Sequence, residues 1–202
     1  MLIAILALGL DLGGVGFHQW YDVRLALALI SFATLMAVRD GNTETLGLRL
    51  TPIQGWRPWL GWSFRIGIAV TFLIVASFAV WHSFGNELPI YTTSPTHLAR
   101  QFINACLLAP VLEETVYRFF VFVAFAPLIG CRYTVVISGL IFGMLHVLYG
   151  NPSPENLCGG FFLAWAFYKS ESIVVPFMLH SVGNGLVVIG QVGGWYFMNQ
   201  PV

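Results

Sequence analysis

The stretch HLARQFINACLLAPVLEETVYRFFVFVAFAPL, residues 97–128, decides how this chain folds. A bilayer core about 30 Å thick needs about 20 apolar residues per helix, and this run is longer than that. Yet it holds Glu113, Glu114 and Arg118 near its middle. Each charge at a bilayer centre costs roughly 2.5–3.5 kcal/mol on insertion scales, so such a cluster needs a reason. Part of the reason is local. Glu114 and Arg118 stand four apart with the acid first, the spacing of an intrahelical ion pair. Glu113 points about 100° away around a 3.6-residue helix, and the pair does not account for it. Pro110, one turn earlier, is expected to loosen the helix and leave backbone carbonyls without donors.

Composition carries the reading to the rest of the chain. Of 202 residues, 57% are hydrophobic and only 9% are charged, with a mean hydropathy of +0.79. Soluble domains carry about 25% charged residues, so this chain lacks the polar surface that water requires. Nine basic and nine acidic residues cancel, and no basic stripe marks a nucleic-acid partner. Apolar runs at roughly 2–17, 22–38, 59–82, 97–128, 131–149, 157–169 and 172–197 give an all-α, polytopic membrane helical bundle of about seven transmembrane helices. Met1 to Leu10 has neither a basic n-region nor a small-residue cleavage pattern, and reads as a first membrane helix. Asp11 is expected near a helix end or facing protein. Cys106, Cys131 and Cys158 form no CxxC pair and read as small membrane-core residues.

The polar stretches between the runs suggest an orientation. Arg39, Arg49, Arg57, Arg132 and Lys169 fall on one side if seven helices alternate, with Arg24 and Arg100 near the other. The positive-inside rule then makes the richer side, and the N-terminus, cytoplasmic. Trp56, Trp59 and Trp62 are expected to anchor at the headgroup level, and His18, His82 and His97 to lie at interfaces. Residues 1–96 read as peripheral N-terminal helices. Residues 97–202 hold nearly all the side chains capable of chemistry and read as the catalytic core.

Two later segments add to the cluster. CRYTVVISGLIFGMLHVLYG, residues 131–150, places Phe142 and His146 four apart. A lone membrane histidine often only bonds a neighbouring helix. SIVVPFMLHSVGNGLVVIGQVGGWYF, residues 172–197, places His180 and Asn184 one turn apart on one face, where either can donate to a developing oxyanion. Gly183, Gly185 and the Gly190–Gly194 pair read as helix-packing positions.

In chain order these residues spell EExxxR (Glu113, Glu114, Arg118), FxxxH (Phe142, His146) and HxxxN (His180, Asn184). The set closely resembles the CAAX prenyl protease and bacteriocin-processing (Abi) family of intramembrane endopeptidases, over roughly residues 98–192. The resemblance implies a glutamate-dependent intramembrane protease with a four-helix catalytic core and no metal or cofactor. It implies that Glu113 is the general base that activates water and that His146 helps hold and deprotonate it. It gives His180 and Asn184 the tetrahedral oxyanion, and Glu114 and Arg118 the support of Glu113, with a direct part open to Glu114. The implied partners are a membrane-anchored peptide or protein substrate and the lipid bilayer, and the implied location is the cell (inner) membrane.

Three other readings stay open on residue types alone. Glu113, His146 and His180 form a His₂Glu set suited to catalytic zinc, although no HExxH is present. Intramembrane Glu and His also mark proton-coupled transporters, although the internal repeats and paired broken helices of such proteins are missing. A non-enzymatic membrane partner would not need the complete set.

Overall fold

A computed structural model describes residues 1–14, 20–38, 47–86 and 91–199. Seven helical rods run through these residues: α1 (Leu2–Gly13), α2 (Tyr21–Ala37), α3 (Arg57–Ser83), α4 (residues 98–129), α5 (Cys131–Leu148), α6 (Pro154–Ser170) and α7 (Val174–Met198). Among the described residues there is no strand, only an isolated bridge between Leu48 and Ser172. The rods follow the apolar runs to within a few residues. The exception is α1, which stops at Gly13. His18 and Arg39 lie outside the described residues. α3, α5 and α7 are each long and apolar enough to cross a bilayer, and the all-α bundle is that of an integral membrane protein.

The central rod is not a plain α-helix. It is built from α segments Leu98–Ile103, Ala109–Glu113 and Val121–Ile129, with π segments Asn104–Leu108 and Glu114–Phe120 between them. π turns inside α-helices occur mostly as local bulges at functional sites. Here one precedes Pro110 and the other begins at Glu114, so the acidic pair sits at a change of helical winding. Gly130, with φ +82°, then lets the chain reverse at once into α5.

α4 is the hub of the apolar core. Leu112, Val116, Phe119, Phe120, Val121 and Ala124 are all buried, and Ala4, Ala7 and Leu8 of α1 and Ala28 and Leu35 of α2 belong to the same cluster. Phe32 of α2 meets Phe119 edge to face at 5.0 Å. α5 and α6 pack closely because glycines face each other's aromatic rings. A Cβ added at Gly160 would stand 3.0 Å from the Phe142 ring and 3.1 Å from the Gly139 carbonyl. The Gly190 position of α7, by contrast, faces open space among the described residues, so the expected packing role finds no neighbour there.

Two short connections tie the ends of the bundle. Residues 47–53 strap the α6–α7 turn: Ile173 N donates to Gly47 O at 2.8 Å, Ser172 Oγ to Arg49 O at 2.6 Å and Ile53 N to Ser170 O at 3.2 Å. At the opposite end, Thr93 donates through Oγ1 to Gln191 Oε1 at 2.8 Å and fixes the approach to α4 against α7. Of the three tryptophans expected at the headgroup level, Trp59 turns inward instead. It is 3% exposed and meets Trp165 of α6 edge on at 5.5 Å. Its sequence neighbourhood suits an interface, but its helical face points at α6.

Candidate active site

The acidic pair divides as its spacing predicts. Glu114 and Arg118 turn inward, 1% and 0% exposed, with Arg118 Nε 3.0 Å from Glu114 Oε2. The alignment is that of an ion contact rather than a good hydrogen bond, and the two terminal guanidinium nitrogens have no hydrogen-bond partner among the described residues. The guanidinium rests instead on the ring of Phe142, its carbon 4.4 Å from the centroid. A cation over an aromatic face is worth about 0.5–2 kcal/mol, most when desolvated. Glu113 lies on a different side of α4 and keeps 19% of its side chain exposed.

α7 completes the group. His180 Nδ1 lies 2.7 Å from Glu114 Oε1, and its Nε2 lies 3.7 Å from Glu113 Oε2. Arg118, Glu114, His180 and Glu113 therefore form a line in which the first two links are in contact. The last gap is too long for a direct hydrogen bond. A carboxylate only accepts, so Nδ1 carries the proton in the link to ionised Glu114. A donor role for His180 at Nε2 then requires the imidazolium.

α5 supplies His146 near its end. Nδ1 of this ring lies 2.9 Å from the Phe142 carbonyl, which can only accept. That bond puts the proton on Nδ1 and leaves Nε2 of the neutral ring with a free lone pair, able to accept from water or another donor. Phe142 holds the parts together. Its ring centroid is 4.3 Å from that of His146, 5.9 Å from that of His180 and 6.0 Å from that of Tyr117. Six of the seven motif residues thus gather around one buried phenylalanine ring and one acidic pair.

Asn184 is placed differently from its neighbour. Its Nδ2 donates to the Ala105 carbonyl at 2.7 Å. Ala105 sits in the first π segment, five residues before Pro110, where a π-turn N–H at position 110 would point. Proline has no N–H to give, and Asn184 supplies the missing donor from the next helix. That bond uses one of its two amide hydrogens. In the second π segment, Ser138 Oγ likewise donates to the Tyr117 carbonyl.

Among the described residues, no set of three or more His, Cys, Asp or Glu side chains is arranged to hold a metal ion. Glu113, His146 and His180 therefore do not make up such a set. The sequence reading missed one partner set that reaches this region, a contact of Asp11 and Arg24 with Tyr117. Tyr117 lies inside EExxxR at a position that motif leaves free, so only its polar character hinted at a role.

No curated protein matches the chain, and no solved structure does. The family model for type II CAAX prenyl endopeptidase Rce1-like proteins matches residues 95–186. That interval begins just before α4, ends within α7 and contains all seven motif residues. Through this core the chain is similar to type II CAAX prenyl endopeptidases of the Rce1-like family.

Proposed function

We propose that the protein is an intramembrane glutamic endopeptidase that cleaves a membrane-anchored peptide or protein, with Glu113 as the general base. The observation that carries this reading is the division of labour between adjacent acids. Glu114 is committed to Arg118 and His180, whereas Glu113 is only partly buried and turns Oε2, which has no hydrogen-bond partner among the described residues, toward His180 Nε2 across 3.7 Å.

In the mechanism, a water held by Glu113 and by the free Nε2 of His146 loses its proton to the carboxylate as its oxygen attacks the scissile carbonyl. General bases of this kind contribute about 10²–10⁴-fold. The tetrahedral oxyanion forms against His180, as imidazolium, and against the second amide hydrogen of Asn184, where fixed donors act without reorganisation. Protonated Glu113 then returns its proton to the leaving amine. Arg118 and Glu114 support the reaction by fixing the Nδ1 side of His180. The reaction uses no metal and takes place in the cell (inner) membrane.

The test uses purified protein in proteoliposomes and a quenched fluorogenic peptide with a farnesylated cysteine near its C-terminus. Wild type is expected to cleave it, and Glu113→Gln to lose at least 10²-fold in kcat. Equal cleavage by both would reject the glutamate mechanism.

A further inference from the structure

Away from the motif residues, α1 and α2 bring a second ionised set into the core. Asp11, on the last turn of α1, accepts from Arg24 Nε at 2.8 Å and Nη2 at 3.1 Å, and from Tyr117 Oη at 2.9 Å. Arg24 Nη2 also lies 2.8 Å from Tyr117 Oη. The side chains of Arg24 and Asp11 are 11% and 6% exposed, and the Arg24 guanidinium stands 5.5 Å over the ring of Tyr149, just past the end of α5. One acceptor and two donors close on each other, drawn from three helices.

Such a set is a poor device for stability alone. Well-packed apolar residues of equal volume commonly do as well or better than a buried ion pair. Its location gives it another use. Tyr117 is four residues after Glu113 on α4, and its ring edge abuts Phe142, the ring around which His146, His180 and Arg118 gather.

We infer that Asp11 and Arg24 are positioning residues of the peptidase, which lock Tyr117 and thereby fix the orientation of Glu113 and the field at its carboxylate. The inference rests on Glu113 being the general base. Charged neighbours on α4 itself are Glu114 and Arg118, and His180 faces Glu113 from α7. The phenols of Tyr21 on α2 and of Tyr149 lie within electrostatic reach, and His146 stands across Phe142 on α5. Asp11 and Arg24 are the groups behind Tyr117, and their charges cancel only while both are present.

The opposed charges give a test that a merely structural role would not mimic. Arg24→Met leaves the Asp11 charge uncompensated, which opposes ionisation of a nearby base. The acid limb of the kcat profile should move up by about one pH unit, as for unit charges roughly 10 Å apart at an effective dielectric near 20. Asp11→Asn leaves Arg24 uncompensated and should move the limb down by a similar amount. The neutral double variant, which buries no lone charge, should return it to the wild-type position, with KM within about twofold of wild type in all three. The assay is cleavage of the farnesylated fluorogenic peptide by the full chain in proteoliposomes. Unchanged profiles in both single variants, or shifts of the same sign, would overturn the inference while leaving the peptidase reading intact. Equal cleavage by wild type and Glu113→Gln would instead overturn the base assignment and this inference with it.

Discussion

Replacing Arg118 by methionine tests the energetics of the site most directly. The substitution keeps the apolar stem that lies against Phe142 and deletes the guanidinium 3.0 Å from Glu114. Glu114 is 1% exposed, so its carboxylate would stay in the interior with only His180 Nδ1, at 2.7 Å, as a compensating group. Removing one partner of a buried pair costs about 3–5 kcal/mol, and loss of the cation over Phe142 adds about 1 kcal/mol. For a chain of this size each kcal/mol lowers Tm by about 2–4 °C, so a fall of roughly 8–24 °C is expected. Thermal unfolding in detergent, followed by tryptophan fluorescence, reads it out. The double variant Glu114→Gln, Arg118→Met removes both charges and should recover more than half of the loss. If Arg118→Met unfolds within about 1 kcal/mol of wild type, the range of a surface pair, or if the double variant recovers nothing, the pair is not the support described above.

Three other substitutions follow from particular contacts. Asn184→Leu strips the donor from the Ala105 carbonyl and should cost about 1–3 kcal/mol, with faster amide hydrogen exchange confined to residues 104–112. Gly160→Val would drive a side chain into Phe142 and the Gly139 carbonyl, with a loss of about 1–3 kcal/mol from overpacking and a lower kcat through displaced His146. Glu113→Gln, at a partly exposed site outside the Glu114–Arg118 contact, should leave Tm within about 0.5 kcal/mol equivalent of wild type while abolishing cleavage. Metal analysis of the active protein should find far less than one zinc per chain.

The fold was legible because its signal is coarse. A chain with 9% charged residues and repeated apolar runs has few options other than a helical membrane bundle, and the run boundaries follow directly. The Glu114–Arg118 contact was equally legible, since an i, i+4 spacing depends only on local helix geometry. Trp59 was not, because the same sequence position serves an interface or a core depending on how far α3 is rotated toward α6. Asn184 shows the same limit. Its spacing from His180 places both on one face, yet the vacancy it fills on α4 depends on how Pro110 and a π turn combine. Asp11 was legible only as an acid near a helix end or facing protein, and Arg24 only as a charge near one face of the membrane. That both meet Tyr117, more than 90 positions away, is a matter of tertiary packing.

The broken winding of α4 has a consequence for how this gene can vary. A π segment carries one residue more per turn than the α-helix around it, so each can lose one residue and still close into a continuous helix. The rod would survive, hydrophobic and well bonded, but every residue on one side of the deletion would rotate by about 100° relative to the other. A single-codon deletion within 106–108 would therefore yield a membrane protein that inserts and accumulates while Asn184 meets the wrong carbonyl. One at Thr115 or Val116 would separate Glu113 and Glu114 from the face that carries Arg118 and Tyr117. Length in these two short stretches thus matters to the site as much as residue identity does.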